Sequence, residues 1–567
     1  MRKRFLAGFL AMCMVLPLAA CSDTKPTSSS SDATKTSKEG STEKEKESKE
    51  VSADGMENGK FTETRKITVE VYDRQVEGGS DVTNNKFTKY IQDGMKEKYN
   101  VEVSFVAVPR WTEVDELNNH LAAGTAPNIC VTYDYPTIQS YANMGGVQDL
   151  APYLEQYKDM LPNLYSWLGD TNINWDKDIK TGTIYAIEGK RATTNRVVTF
   201  VRKDWLDKLN MKEPTTKKEF EDMLIAFRDN ADTLLGADAD KMIPFALSSD
   251  VGWRAATLIE SFIDPQISDY DYYVNGFDDR KLTEPGTKDA IKLLNEWYHK
   301  DLIYKDFALS SDTEEEDNRM KAGFVGAFTH NWDYPFRNGD QSINNVLSST
   351  FGDDAMFVAI DPFEDKNGGH NKFVTSTAGD RKIFFPTSNT EPLASMLYLD
   401  FISSPDVIEY LQIGDKGVNH NVLDDGAIEV TPATGDDIQN SGMNIDYTIT
   451  CNGLHLKDDA ITAISTAHNY PGIPADVVKR ADEIANTDAR RDKNIKVAVV
   501  NSEDGMGTAL GEKRDQVYNQ CIICDTAEFD EKWDYWMKDY LQSGGQDIID
   551  ERQQVWKDSY GDATSVD

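Results

Sequence analysis

An alternation of strand-like and helix-like segments between residues 66 and 132 constrains the fold of this chain more than any other feature. Residues 66–72 alternate apolar and polar side chains, as a half-buried strand does, and residues 101–108 repeat this pattern. Between them, residues 87–99 place apolar side chains three and four positions apart, which is typical of an amphipathic helix. A second helix is predicted from about 112 through 121, before a third strand. This order favours an α/β fold in which helices cover parallel strands, with a ligand crevice beyond the carboxyl ends of the strands.

The last part of the chain has a helical pattern instead. Six apolar residues recur there at three- and four-residue spacing: Phe529, Trp533, Trp536, Met537, Tyr540 and Leu541. We interpret them, together with Trp556, as core side chains of terminal helices and not as a binding surface.

The first twenty residues have the composition of a secretory signal. Basic residues 2–4 precede an apolar stretch, residues 5–16, that is too short for a stable membrane span. The signal ends in Leu18-Ala-Ala-Cys21, which resembles the bacterial lipobox, although a cysteine could stand there by accident. We predict a lipoprotein signal peptide over residues 1–20 and acylation of Cys21. The protein would then be anchored at the extracytoplasmic face of the cell membrane, in keeping with a Gram-positive cell surface.

A polar segment follows the predicted anchor. From Ser22 to about Lys60 the chain is mostly Ser, Thr, Lys and Glu, with almost no large apolar side chain. Such a segment cannot bury enough apolar surface to offset its ordering entropy. We therefore predict that residues 21–61 form the lipidated cysteine and a disordered tether.

Charge and motif content exclude several classes of function. The chain carries 60 Lys and Arg against 97 Asp and Glu, a formal charge of −37, which disfavours nucleic acid and anionic lipid as partners. We find no HExxH, GxSxG, P-loop or dinucleotide-binding glycine motif, and the seven histidines are scattered without ligand spacing. We predict no catalytic residue, no metal and no cofactor. Cys521 and Cys524 have the spacing of a redox or metal pair, but nothing completes such a site, and we favour a structural disulfide or buried thiols.

Several segments resemble, in order, those of family 1 bacterial extracellular solute-binding proteins, the ligand-capturing components of ABC importers. They are residues 121–130 (LAAGTAPNIC), 145–154 (GGVQDLAPYL), 182–187 (GTIYAI), 200–209 (FVRKDWLDKL), 214–220 (PTTKKEF), 320–332 (MKAGFVGAFTHNW) and 405–418 (PDVIEYLQIGDKGV). The sugar-binding branch of the family fits the length best. The resemblance implies a type II periplasmic-binding-protein-like fold, in which two lobes, each a sheet flanked by helices, close around a solute by hinge motion.

The resemblance also implies how the chain divides. We assign residues 62–190 and about 340–420 to an N-terminal lobe, and residues 191–339 and about 421–567 to a C-terminal lobe. Within the second lobe, Thr216 and Glu219 have the spacing of a capping box, which predicts a helix start there.

A glycan site needs aromatic faces for the sugar ring and planar polar groups for its hydroxyls. We nominate aromatic residues that stand beside polar ones at strand ends or in loops: Tyr72, Asp73, Arg110, Trp111, Asp134, Tyr135, Trp253, Arg254, Asn331, Trp332, Asp333 and Tyr334. Each alone could equally be a packing or surface residue. Trp332 is the strongest candidate, because the family motif places an aromatic residue at the cleft, and Asn419 and His420 are weaker ones.

These patterns predict a monomeric, non-enzymatic protein that captures a carbohydrate, specifically an oligosaccharide, and delivers it to the transmembrane subunits of an ABC permease. Two alternatives remain open at this point. One is a peptide or other small-solute binder on the same fold, and the other is a surface glycosidase.

Overall fold

The computed structural model describes residues 55–76, 78–310, 313–374, 378, 380–431, 433–491, 493, 495–498, 500–503 and 505–566. The predicted signal peptide, Cys21 and residues 22–54 of the predicted tether lie outside the described residues. The folded part begins before the predicted end of the tether, because strands Met56–Glu57 and Lys60–Phe61 form a hairpin. Met56 and Phe61 are buried in the first core described below, which a disordered segment could not supply.

The structure is mixed α/β. Its longer strands and those near the cavity are Arg65–Asp73, Val101–Pro109, Cys130–Thr132, Ile187–Glu188, Lys190–Arg191, Val197–Arg202, Ile243–Ala246, Val325–Asn331, Phe357–Ile360, Lys372–Val374, Lys382–Phe384, His420–Val422, Ile428–Val430, Cys451–Asn452 and Ala489–Arg491. Its α-helices are Lys86–Tyr99, Glu113–Ala123, Tyr135–Asn143, Ala151–Gln156, Pro162–Ile173, Lys203–Lys208, Lys217–Asp229, Ala231–Leu235, Val251–Arg254, Ala256–Glu260, Asp269–Asn275, Thr287–His299, Thr313–Lys321, Ile343–Phe351, Pro392–Ile402, Pro405–Ile413, Asp459–Thr466, Ala475–Asn486, Gly507–Ile523, Phe529–Tyr540 and Gln546–Tyr560.

The first core forms around the strands that the opening of the sequence predicts. Arg65–Asp73 pairs in parallel with Val101–Pro109 over its whole length, as predicted. Val69 also forms a parallel bridge to Ile129, just before the short strand Cys130–Thr132. Helix Lys86–Tyr99 begins at Asn85, whose side chain accepts hydrogen bonds from the Phe87 and Thr88 amides and so satisfies two free N–H groups. Its apolar face, including Ile91 and Met95, is fully buried.

The second core forms around a sheet with strand order Phe357–Ile360, Val197–Arg202, Val325–Asn331, Ile243–Ala246. Val197–Arg202 is buried at every position and pairs antiparallel with both of its neighbours. The terminal helices cover this core: Phe529, Trp533 and Tyr540 are buried in it, and Trp536, Met537 and Leu541 pack partly buried against it. The predicted helical C-terminal part and its apolar face are therefore confirmed.

The chain passes between the two cores more than once. Ile187, Ile383 and Ile449 belong to the first core, whereas Val198, Phe363 and Ile473 belong to the two buried clusters that include residues of the second sheet. The connecting segments pair with each other, since Lys190–Arg191 lies parallel to Cys451–Asn452 and Glu188 lies opposite Lys382. The connections thus take part in two separate short sheets: Lys190–Arg191 pairs with Cys451–Asn452, and Ile187–Glu188 joins Lys382–Phe384 and Cys130–Thr132.

The packing differs in detail from the predicted lobe assignment. Strand Phe357–Ile360 lies within the predicted N-terminal lobe but pairs with Val197–Arg202 of the second sheet. Tyr447 and Ile449 lie within the predicted C-terminal lobe but are buried in the first core. A boundary placed by motif order misses both, because neither segment carries a motif. The lobe boundaries stay a prediction.

Two local predictions have clear outcomes. Thr216 caps helix Lys217–Asp229 by accepting a hydrogen bond from the Glu219 amide at 3.1 Å, and the Glu219 side chain accepts a hydrogen bond from the Thr215 amide at 2.9 Å. Cys521 and Cys524 are free thiols, and burial raises the pKa of Cys521 to about 12.

Among the described residues, none of the helices combines the length and the apolar composition that a membrane span needs.

Candidate functional site

A cavity of about 1000 Å³ lies where residues of the first core, the second core and the connecting segments meet. Trp111 and Ser441 line it from the side of the first core, and Trp253 and Trp332 line it from the side of the second. Arg191 lines it from a connecting segment. Ligand pockets for small molecules commonly measure about 300–1,000 Å³, so this cavity is large enough for an extended solute.

On the side of the first core, Arg74 of the cavity wall forms an ion pair with Asp446. Arg74 follows strand Arg65–Asp73, and its Nε donates to Asp446 Oδ2 at 2.6 Å while its Nη2 donates to Oδ1 at 3.0 Å. This bidentate geometry fixes the plane of the guanidinium group. Trp111 stands at the edge of the same side with 78% of its surface exposed, which leaves its ring open to contact a solute.

On the second side, Trp253 lies between two arginines. The guanidinium carbon of Arg196 is 4.9 Å from the centre of the Trp253 ring system, and that of Arg280 is 4.8 Å from it. Asp250, which caps the short helix Val251–Arg254, accepts hydrogen bonds from Arg280 at 3.0 and 2.8 Å. The Trp253 ring is therefore held in one position by its neighbours.

The end of strand Val325–Asn331 delivers a group of polar and aromatic residues to the cavity. Asp333 accepts a hydrogen bond from the Tyr470 hydroxyl at 2.8 Å and another from Arg337 at 2.6 Å. The Tyr334 hydroxyl donates to Asp317 at 2.7 Å. Trp332 meets the Tyr470 ring edge to face at 6.1 Å. These contacts hold the side chains that follow the strand in a fixed arrangement.

Three buried side-chain oxygens of the cavity lining have no hydrogen-bond partner among the described residues. They are Asn331 Oδ1, Ser441 Oγ and Asn469 Oδ1. A buried acceptor without a partner costs about 1–3 kcal/mol, and a hydroxyl group of a solute would supply the missing donor.

A second cavity of about 940 Å³ adjoins the first, and Tyr272, Asp279 and Lys281 line both. The Tyr272 ring stacks on Phe373 with 5.1 Å between centroids and 5° between planes. Lys281 Nζ lies 4.5 Å from the centroid of the Tyr272 ring and 4.9 Å from that of Phe373. The two cavities together offer more length than a single sugar unit requires.

Burial shifts the titration of two groups beside the cavity. Burial raises the pKa of Glu260, and the ion pair with Arg196 opposes that shift. Burial, with a contribution from the positive charge of Arg254, holds the pKa of His330 well below its usual value. His330 is thus a neutral ring at physiological pH, stacked on Tyr334 at 3.4 Å.

Six of the nominated residues line the first cavity: Trp111, Trp253, Asn331, Trp332, Asp333 and Tyr334. Whether they contact a ligand stays a prediction. Trp332, the strongest candidate, is only 7% exposed, so little of its side chain is open to a solute.

The other nominated residues do not line this cavity. The Tyr72 hydroxyl donates to the Val131 carbonyl at 3.1 Å, and Arg110 lies 5.2 Å from the Tyr72 ring centroid. Asp73 accepts from the Gln75 amide at 2.8 Å and lines a small separate cavity. Asp134 caps helix Tyr135–Asn143.

The remaining nominated residues have packing contacts too. Tyr135 donates to the Asp176 carbonyl at 3.4 Å, and Arg254 is buried in an ion pair with Glu316. Asn419 accepts a hydrogen bond from Lys86 at 2.7 Å, and His420 Nδ1 lies 2.9 Å from the Ile413 carbonyl oxygen. For these residues the structure supplies a structural role, and their ligand-binding role stays a prediction.

Much of the lining comes from residues that no sequence motif identifies. They are Arg74, Arg191, Asn195, Arg196, Lys281, Arg337, Phe373, Ser441, Asn469 and Tyr470. Most lie in connecting segments or loops without a motif, so only three-dimensional proximity identifies them. No group of three or more His, Cys, Asp or Glu side chains suited to a metal ion occurs in the described part of the chain.

A family model for bacterial extracellular solute-binding proteins matches residues 89–434 of this chain. The chain belongs to this family. The family and the structural neighbours given below are binding proteins, which agrees with the predicted class of function. The predicted resemblance to extracellular solute-binding proteins is thereby confirmed.

Two proteins of Bacillus subtilis (strain 168) are similar in sequence. The polygalacturonan/rhamnogalacturonan-binding protein YtcQ is 23% identical over 481 residues, which are 81% of this chain and 86% of YtcQ. Lipoprotein LipO is 26% identical over 236 residues, which are 40% of this chain and 45% of LipO.

Solved structures of solute-binding proteins share the fold. The alginate-binding protein AlgQ2 superposes with a TM-score of 0.61 at 16% identity, covering 88% of this chain and 100% of AlgQ2. An HMO-binding solute-binding protein from Bifidobacterium longum infantis gives a TM-score of 0.60 at 17% identity, covering 89% and 100%. The predicted type II, two-lobed fold is confirmed.

Proposed function

We propose that this protein is the lipid-anchored solute-binding component of an ABC importer, and that it captures an oligosaccharide in the cavity between its two cores. The observation that carries the proposal is the lining of that cavity. Tryptophan and tyrosine rings stand there beside arginine, asparagine and aspartate side chains. Sugars present apolar ring faces and many hydroxyl groups, and this mixture of groups suits both.

The size and the unpartnered groups of the site support an oligosaccharide over a small metabolite. The two adjoining cavities of about 1000 and 940 Å³ share one wall, so a chain of sugar units has room to extend. The buried oxygens of Asn331, Ser441 and Asn469 would accept hydrogen bonds from sugar hydroxyls. The similarity to YtcQ and AlgQ2, both polysaccharide-binding proteins, supports the same proposal.

In this proposal the solute is released unchanged. The two cores close around it by movement about the connecting segments, and the closed form docks on the permease subunits. The acylated Cys21 holds the protein at the extracytoplasmic face of the cell membrane, and the polar segment after it lets the folded part reach both solute and permease.

A thermal-shift screen of residues 51–567, which form one compact unit, tests the binding class. A ligand at 100 times its Kd stabilises the folded state by about 2.7 kcal/mol, so an oligosaccharide should raise Tm clearly. A peptide that raises Tm while no carbohydrate does so would reject the proposal. Appearance of new reducing ends during incubation would instead identify a glycosidase.

The anchor has its own test. Replacing the predicted lipidated residue, Cys21→Ser, should release the protein from membranes into the medium, because acyl chains supply about 0.8 kcal/mol per buried methylene. A variant that stays on membranes after extraction with high salt would contradict the predicted anchor.

A further inference from the structure

The first cavity has a charge composition opposite to that of the whole chain. Its lining contains six basic residues, Arg74, Arg191, Arg196, Lys281, Lys321 and Arg337, but only three acidic ones, Asp279, Asp317 and Asp333. The complete sequence has 60 basic and 97 acidic residues. A basic wall inside an acidic protein is unexpected for a surface that serves solubility alone.

Three of the arginines have carboxylate partners that do not line the cavity. Arg74 pairs with Asp446 at 2.6 Å, Arg191 lies 3.8 Å from Asp380, and Arg196 pairs with Glu260. The positive end of each pair therefore faces the cavity while the negative end lies outside its lining. Each guanidinium group has five N–H donors, so a group bound on one side keeps donors for a solute on the other.

The three acidic residues of the wall are already engaged. Asp317 accepts from the Tyr334 hydroxyl, and Asp333 accepts from Tyr470 and Arg337. Asp279 accepts a hydrogen bond from Arg280. The arginine partners of Asp279 and Asp333 offset the charge of these two carboxylates, whereas Asp317 is hydrogen-bonded to a neutral hydroxyl and keeps its charge.

Lys321 differs from the other cations of the wall. It lies at the end of helix Thr313–Lys321, and it makes no ion pair with any carboxylate that the structure describes. Its ammonium group therefore adds a positive charge to the wall that is not engaged in an ion pair, with Asp317 one turn earlier on the same helix.

We propose that this cavity selects oligosaccharides whose sugar units carry carboxylate groups. The proposal rests on the proposed function and names the substrate class of the same site. The arginines donate charge-assisted hydrogen bonds to the sugar carboxylates, Lys321 supplies a further positive charge, and the aromatic rings contact the sugar rings.

Calorimetric titration of the full-length chain in detergent tests this selection with one pair of probes. The first is a tetramer of galacturonate, and the second is the same tetramer with every carboxylate converted to a neutral methyl ester. The free acid should bind at least tenfold more tightly than the ester. The difference should shrink between 50 mM and 500 mM salt because ions screen charge–charge attraction. Equal affinity for acid and ester, within twofold, would overturn the proposal.

A pair of matched variants locates the effect. Lys321→Met should weaken binding of the acid about three- to tenfold and leave binding of the ester unchanged. Lys479→Met is the control, because Lys479 is an exposed helix residue outside the lining, and it should change neither affinity. Equal loss of acid and ester binding in Lys321→Met would show that the residue does not recognise charge and would count against the proposal.

The failure of this inference differs from the failure of the proposed function. If only the inference fails, the protein binds neutral oligosaccharides, including the ester or a neutral galactose tetramer, as well as the acid. If the proposed function fails, neither acidic nor neutral oligosaccharides bind.

Discussion

Two groups of side chains near the cavity both place arginine guanidinium groups beside aromatic rings. In the Arg110 group, Arg110 lies 5.2 Å from the ring centroid of Tyr72 and 4.5 Å from that of Tyr133. In the Trp253 group, Arg196 and Arg280 lie 4.9 and 4.8 Å from Trp253.

The two groups differ in what their outer surfaces meet. Tyr72 is 3% exposed and belongs to the first core, and neither it nor Arg110 lines the cavity. Trp253 and Arg196 do line it. An arginine beside an aromatic ring can thus stabilise a fold or face a solute. The residues that surround each group decide between these roles, and the local sequence does not. Substitutions in the Arg110 group should therefore lower stability, and substitutions in the Trp253 group should lower affinity for the solute.

The largest expected effect concerns the Arg110 group. Tyr72→Ala should lower the free energy of unfolding by about 3–5 kcal/mol, because it removes a buried ring from the core. Its affinity for the solute should stay within twofold of the wild-type value. Chemical denaturation and calorimetric titration below the unfolding transition measure the two quantities. A loss of affinity larger than the loss of stability would make Tyr72 a binding residue.

The opposite pattern is expected for the Trp253 group. Trp253→Ala should weaken oligosaccharide binding roughly tenfold to thirtyfold, or about 1.4–2 kcal/mol, with a smaller effect on stability. Tyr535→Ala is a suitable control, since Tyr535 is an aromatic residue 62% exposed on a terminal helix outside the cavity lining. Unchanged affinity in Trp253→Ala would remove this residue from the site.

The pH dependence of stability sharpens the comparison further. Glu70 lies in the strand that leads to Tyr72, and burial raises its pKa to about 8 from a usual 4.5. The folded protein therefore keeps a proton that the unfolded chain loses, and its stability should fall as pH rises from about 5 to about 8. Glu70→Gln should lose this part of the pH dependence. It should be more stable than the wild type at pH 8 by at least about 1 kcal/mol, since one pKa unit is worth about 1.4 kcal/mol. Chemical denaturation of both proteins at several pH values measures how their stability changes with pH. If the stability of Glu70→Gln fell more steeply with rising pH than that of the wild type, the raised pKa of Glu70 would be contradicted.

The smallest effect is expected at the edge of the cavity. Trp111 follows Arg110 directly but is exposed and lines the cavity. Trp111→Ala should weaken binding about twofold to fivefold, or less than about 1 kcal/mol, and leave Tm unchanged. A loss of stability would place Trp111 with the packed residues instead.

The sequence predicted the elements that local pattern determines. Strands 66–72 and 101–108, the helix between them and the apolar face of the terminal helix all depend on side chains that are close in the chain. Arg196 and Ser441 could not be found this way, because they reach the cavity only through pairing of distant segments. Asp134 was nominated from its position beside an aromatic residue, yet it caps a helix, a role that the same short polar side chain also suits.

A crystal structure of the protein with a bound oligosaccharide tests the central claim most directly. We expect sugar rings in the cavity between the two cores, within contact distance of Trp253 and the residues after strand Val325–Asn331. Density for the sugar on another surface, with this cavity filled only by water, would contradict the account.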